Sequence, residues 1–216
     1  MSILICVPTY NEEKAVREVI RLLREHHLDF VICDGFSEDN TLAIVKEEDA
    51  EYLKRDKVGK GYAFTKCLEL AHQRGYEFMG IIDCDLTYDI GDLVRLHDIA
   101  IRQGYDMVVG GRPFSSIAWH RRLANYFISG YFNLLFTSKV KDIVSGLRII
   151  RVDKFHGVIS AISFDLEPRM LAYTIKNKLK YTEEKISYTE RVGDSKANLA
   201  ELFLILKGIT HERIIP

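Results

Sequence analysis

Short, continuously apolar runs alternate with stretches of helical spacing through the first half of the chain. Ile3–Val7 reads as a buried strand, and Val16, Val19, Ile20 and Leu23 mark one face of the helix that follows. Phe30–Cys33 predicts a second strand, Leu42 and Val45 a second helix, and Glu51–Lys54 a short third strand. Tyr62–Arg74 is helical in pattern with Gly75 closing it, and Phe78–Ile82 is the next strand. Leu93–Arg102 predicts a helix ended by Gly104, and Met107–Val109 another strand. Alternation of this kind, with strands apolar along their whole length, implies an α/β fold built on a mainly parallel sheet covered on both faces.

In such a sheet a ligand sits beyond the carboxyl ends of the strands. That rule singles out four loops: Pro8–Glu13, Asp34–Asn40, Asp83–Asp89 and Gly110–Pro113. Three carry carboxylates and the fourth carries Arg112. Beyond about residue 113 the texture changes. Trp119–Phe136 is rich in aromatics and holds His120, Arg121 and Arg122. Val144–Ile150 predicts a strand, Leu166–Lys176 a helix, Lys185–Tyr188 an edge strand and Asn198–Ile209 a last helix. The expectation is one domain over residues 1–216, with a donor-binding half to residue 112 and an acceptor-side half after it.

Composition narrows the classes. With 216 residues, 47% hydrophobic and 28% charged, the chain suits one globular domain. A net charge of -1 argues against nucleic acid as a partner, so any anion must be held by local Arg and Lys. Cys6, Cys33, Cys67 and Cys84 show no paired spacing, and buried free thiols in a reducing compartment are expected. The first residues lack a basic region and a cleavage site, and no apolar run reaches the about 20 residues of a membrane span. A cytoplasmic protein, at most peripheral on the membrane's cytoplasmic face, is therefore expected.

Asp83 and Asp85 follow the apolar strand Phe78–Ile82. Two carboxylates so close repel unless a cation lies beside them, and hard oxygen ligands at a strand end suit Mg2+ or Mn2+ with phosphate oxygens. Taken alone, the pair is as readily a surface feature. Pro8-Thr9-Tyr10-Asn11-Glu12-Glu13 suits both a helix start and contact with a nucleotide. Asp34 reads equally as a turn residue before Gly35 or an acceptor for base or ribose. Gly59-Lys60-Gly61 lacks the wider P-loop pattern, yet sets Lys60 between glycines where a phosphate can approach. Arg112, Arg121, Arg122, Arg148, Arg151, Arg191 and Lys196 supply cations around the later loops, as recognition of a phosphate requires.

Seven segments in order resemble the family 2 glycosyltransferases, in particular the dolichol-phosphate mannose synthase and polyprenyl-phosphate sugar transferase branch. They are Val7–Glu12, Asp34–Thr41, Gly59–Gly61, Asp83–Leu86, Gly111-Arg112, Ser145–Arg148 and Glu190–Lys196. The resemblance implies a GT-A (Rossmann-like) fold and an inverting, metal-dependent hexosyltransferase. Carried over by position, Pro8, Tyr10, Glu12 and Asp34 bind the nucleoside, Asp83 and Asp85 hold metal and diphosphate, and Arg112, Ser145, Arg148, Arg191 and Lys196 line the acceptor phosphate. Lys60 joins the donor set and Arg122 the acceptor set, while Asp83, Asp85, Arg112 and Arg148 form the expected catalytic group. Three positions depart from the pattern: Gly35 after Asp34, Thr87 where relatives carry Gln, and Asn125 where mannose synthases carry Ser.

The expected reaction moves a hexose from a nucleotide sugar, GDP-mannose or UDP-glucose, to polyprenyl or dolichyl phosphate, an acceptor that is already an anion and needs no base. A saccharide hydroxyl acceptor would need a base, for which Asp142 and Glu167 are the candidates. A nucleotidyltransferase or a non-catalytic nucleotide-sugar-binding module are the remaining alternatives. The aromatic and basic run from Trp119 fits either an interfacial helix at a membrane or a core helix packed on the sheet.

Overall fold

A computed structural model describes residues 2–54, 59–159, 165–189 and 199–214. Seven strands form one sheet: β1 (Ile3–Thr9), β2 (Asp29–Asp34), β3 (Tyr52–Lys54), β4 (Phe78–Ile81), β5 (Met107–Gly111), β6 (Arg148–Arg151) and β7 (Tyr181–Lys185), in the order β3-β2-β1-β4-β6-β5-β7. All pairings are parallel except those of β6, which runs antiparallel between β4 and β5. The expected mainly parallel sheet is what forms.

Alternation along β1 assigns its side chains to two cores. Ile3, Ile5 and Val7 face one layer with Val16, Val19, Ile20 and Leu23 of α1 (Val16–Glu25), Val45 of α2 (Thr41–Glu47), and Leu93 and Leu96 of α4 (Ile90–Gln103). Leu4 and Cys6 face the other layer, with Phe64 and Leu68 of α3 (Lys60–Gln73), Phe132 of α5 (Trp119–Phe136), Phe155 of the short α6 (Val152–Phe155), Met170 of α7 (Leu166–Lys176) and Ile209 of α8 (Leu199–Ile214). Gly75 (φ +73°) and Gly104 (φ +64°) end α3 and α4 in the left-handed region, as their places in sequence predict.

Two late strands differ from expectation. The strand foreseen over Val144–Ile150 starts only at Arg148, because Ser145 and Gly146 belong to a turn that crosses the end of β4. The edge strand foreseen at Lys185–Tyr188 lies instead at Tyr181–Lys185, with Tyr188 making an isolated bridge to Tyr88. Its Glu183 and Glu184 conceal it in the sequence, for polar side chains are what an edge strand tolerates.

The cysteines are all buried free thiols, yet Cys6, Cys33 and Cys67 converge with their sulfurs within 4.8 Å of one another. Burial pushes the Cys6 and Cys67 thiols up, which keeps them neutral, and they pack as small apolar groups between β1, β2 and α3. Among the described residues no helix is long and apolar enough to cross a membrane.

Candidate active site

The loops after β1 and β2 are laced to each other. Asn11 donates its backbone N–H to the Ser37 hydroxyl at 2.9 Å and accepts from the Glu38 N–H at 2.8 Å. The Glu12 N–H donates to Thr41 Oγ1 at 2.8 Å, the Glu13 N–H to Asp39 at 3.2 Å, and the Asn40 N–H returns a bond to Glu13 at 3.1 Å. Asn11 takes a left-handed φ of 52°, which its short amide side chain tolerates. Pro8 and Tyr10 are half-buried on this ledge. Asp34, 1% exposed, accepts from the N–H groups of Phe36 (3.1 Å) and Ser37 (3.3 Å), so the turn role holds and its carboxylate orders the second loop from within.

The end of β4 carries the charged centre. Asp85, 5% exposed, accepts from Thr87 Oγ1 at 2.6 Å and from the Thr87 N–H at 3.2 Å. Thr87, which departs from the family pattern in sequence, therefore aims Asp85. Burial foremost raises the Cys84 thiol, and Glu12, Asp85 and Asp83 add to the rise, which sets all three carboxylates around it. Lys60, the first residue of α3, ion-pairs with Asp83 at 2.5 Å and with Glu167 of α7 at 2.7 Å. Burial alone would lower the Lys60 pKa, but Asp83 and Glu167 more than reverse that, so the ammonium stays charged. Gly146 passes over this cluster. A Cβ there would meet Asp83 Oδ2 at 2.2 Å and Lys60 Nζ at 3.0 Å, so any other residue would have to push these side chains aside. Its N–H donates to the Tyr88 hydroxyl at 2.8 Å.

Just after β5, Arg112 is clamped by Asp142. Arg112 Nε lies 2.7 Å from Asp142 Oδ2 and Nη2 2.8 Å from Oδ1, and the Arg112 backbone N–H joins them at 3.1 Å. Asn125 of α5 donates to the same carboxylate at 2.9 Å, and Glu183 of β7 accepts the Lys141 and Asp142 N–H groups. Tyr188 places its ring 5.3 Å from the guanidinium and packs edge-on to Tyr88. Burial draws the Arg112 pKa down, and Tyr88 and Asp142 more than restore it, leaving it above its ordinary value. The Tyr88 hydroxyl, raised foremost by burial, feels Arg112, Asp83 and Lys60 in turn, so it stands where the two charged groups meet.

Two expected phosphate ligands do other work. Arg148 is fully buried, and its guanidinium donates to the carbonyls of Ser145 (3.2 Å), Glu167 (2.9 Å) and Ile143. It stitches the turn before β6 to α7, and no acceptor reaches it from solvent. Ser145, likewise buried, donates its hydroxyl to the Gly110 carbonyl. Arg122 is half-buried on α5, and Arg191 and Lys196 lie outside the described residues. Asp142 and Glu167, the candidate bases, are each committed to a cation. Tyr88, Tyr188 and Glu183 were not singled out from the sequence, since nothing local distinguishes them. Only the order of segments around Asp83–Asp89 brings Tyr88 near the site.

The outer face of α5 is apolar. Trp119 is 71% and Leu134 79% exposed, and Leu123, Tyr126 and Phe127 are also exposed, while Phe203 stands out from α8, which packs on α5.

Comparison with known proteins bears on the family and the fold. The family described as glycosyl transferase family 2 matches residues 4–161. Glycosyltransferase AglJ of Haloferax volcanii is 29% identical over 92% of this chain and 66% of its own length. The hexosyltransferase Agl6 of the same organism is matched over only 48% of its length, so these two relatives extend well beyond the aligned part. Polyprenol monophosphomannose synthase of Mycolicibacterium smegmatis is 26% identical, covering 89% of this chain and 80% of that one. Among solved structures, glucosyl-3-phosphoglycerate synthase from Mycobacterium tuberculosis, in a complex with Mn2+, UDP-glucose and phosphoglyceric acid, superposes with a TM-score of 0.81 at 17% identity, over 100% of this chain and 80% of that one. That likeness establishes the GT-A fold.

Proposed function

The chain belongs to glycosyl transferase family 2, and we propose that it moves a hexose, with inversion, from a nucleotide sugar (GDP-mannose or UDP-glucose) to a polyprenyl or dolichyl phosphate. The observation that carries this reading is the pairing of both carboxylates that the sequence offers as candidate bases. Asp142 is held by Arg112 and Glu167 by Lys60, at side-chain exposures of 1% and 5%. A hydroxyl acceptor needs a group to take its proton, whereas a phosphate oxygen attacks as an anion. The names of relatives, among them a dolichyl-phosphate N-acetylglucosaminyltransferase of Methanococcus voltae at 27% identity, point the same way.

The donor set fits a divalent ion. Asp83 and Asp85 follow β4 with hard oxygen donors, and Lys60 is shared between Asp83 and Glu167. Asp83 and Asp85 would hold Mg2+ or Mn2+, which when bound neutralises charge developing on the diphosphate leaving group. The two laced loops, with Pro8, Tyr10, Glu12 and Asp34, form the nucleoside ledge of a donor half extending to residue 112. Arg112, steadied by Asp142 and Tyr188, would meet the acceptor phosphate, with Arg122, Arg191 and Lys196 as further phosphate contacts. The apolar face of α5 rests peripherally on the cytoplasmic leaflet, where a lipid-linked phosphate is presented.

Radiolabelled GDP-mannose and UDP-glucose, offered with polyprenyl phosphate and Mg2+ or Mn2+, test the reading. Label extracted into the organic phase is the expected result. Label confined to water-soluble products under the same conditions would reject the lipid acceptor.

A further inference from the structure

We propose that Lys60 is a resident counter-ion for Asp83 that yields this carboxylate to the donor's divalent ion, and that Glu167 is the positioning residue that retains Lys60 in the cleft when it does so. The proposal rests on the divalent-ion reading above.

The asymmetry of the cluster carries it. Nζ of Lys60 lies 2.5 Å from Asp83 and 2.7 Å from Glu167, with side-chain exposures of 12% for the lysine, 31% for Asp83 and 5% for Glu167. Solvent, and any ion in it, reaches the Asp83 side, while the Glu167 side is dry. Glu167 is fixed at the start of α7, where its own carbonyl is tied by Arg148 at 2.9 Å. The anchor is therefore built into the helix layer and the exposed partner is the exchangeable one. Gly146 presents bare backbone near both Asp83 Oδ2 and Lys60 Nζ and so adds no side chain that would hold the ammonium in place.

Lys60 Nζ sits on Asp83 Oδ1, and a divalent ion bound to the same carboxylate would lie close enough to repel it strongly. An ion arriving alone must therefore displace Lys60 from Asp83, and its apparent affinity is reduced by that competition. An ion arriving with a diphosphate brings the anion that Lys60 can turn to, pivoting on Glu167. A lysine suits this exchange, being a point charge on a flexible stem, whereas the planar fork of an arginine would lock both oxygens. Metal and nucleotide then help each other bind through the lysine, a coupling that must be reciprocal.

Mn2+ binding followed by the loss of its free-ion electron paramagnetic resonance signal, with and without GDP or UDP, tests this without any turnover. Lys60→Met is expected to tighten Mn2+ binding alone about tenfold and to weaken nucleotide binding in the presence of Mn2+ by a similar factor. Glu167→Gln, which leaves Lys60 to Asp83 alone, is expected to weaken Mn2+ binding alone several-fold, and that effect should vanish in the double variant. Lys66→Met, an exposed lysine on the same helix, serves as the control for bulk charge and should move Mn2+ affinity less than about twofold. An unchanged or weakened Mn2+ affinity in Lys60→Met, or an equal tightening in Lys66→Met, overturns the proposal. Absence of Mn2+ binding to the wild-type chain with either nucleotide present overturns the divalent-ion reading itself, and this proposal with it.

Discussion

Two ion pairs lie near Tyr88, and they are built differently. Arg112 meets Asp142 through two parallel N–H bonds, a third from its own backbone and a fourth from Asn125, with the carboxylate 1% exposed. Lys60 meets Asp83 through one contact, at a carboxylate 31% exposed, with Glu167 in reserve behind it. The first arrangement over-determines a geometry, and the second leaves a charge able to move. A fork on a buried carboxylate fixes position, whereas a point charge between two carboxylates sets an equilibrium.

The largest expected effect comes from breaking the fixed pair. Asp142→Ala strands the Arg112 guanidinium without its carboxylate and should cost about 3–5 kcal/mol of stability, read as a lowered urea midpoint. If the loss is under about 1 kcal/mol, the pair is not the scaffold described. Next comes the open side: Asp85→Ala should lower transfer by about 10²–10³-fold while the melting temperature stays within about 3 °C, measured by labelled-donor turnover and by calorimetry. Full retention of transfer would sink the metal-site assignment. The smallest effect should come from Gly146→Ala, whose new methyl pushes Asp83 aside. Turnover should fall about 10–100-fold, a size typical of a misplacement near one ångström, with the Arg112–Asp142 side and the urea midpoint little changed.

The legibility of the chain divides along the same line. Helical spacing and apolar runs revealed the first half because each element there buries a face of regular period, as at Val16, Val19, Ile20 and Leu23. Asp83 and Asp85 were visible because a buried strand ends in two acids. Arg148 was not, since a guanidinium in sequence carries no sign of whether its donors meet a phosphate or, as here, three backbone carbonyls. The partners Lys60 and Asp83, 23 residues apart, and Arg112 and Asp142, 30 apart, are joined only by the way β4, β5 and α3 pack. Glu167 and Asp142 were noticed as candidate bases, and it took the distances to show them as counter-ions. The segments carrying Arg191 and Lys196 lie outside the described residues, so their expected place at the acceptor stands as part of the proposed function.

The single antiparallel strand has a consequence for how the molecule comes into being. β4 and β5 do not touch each other through a ladder, because β6 lies between them and pairs with both. As the chain emerges during synthesis, β1 to β4 can assemble, but β5 must wait with its backbone groups unpaired until residues 148–151 arrive. The strand that joins β4 to β5 thus comes from later in the chain than either of them. A fragment ending near residue 112 would hold open strand edges on either side of an empty slot, the kind of surface that invites another strand and aggregation. The segment that leads into β6 also brings Gly146 to Asp83, so the charged centre depends on the same long-range contact that completes the sheet.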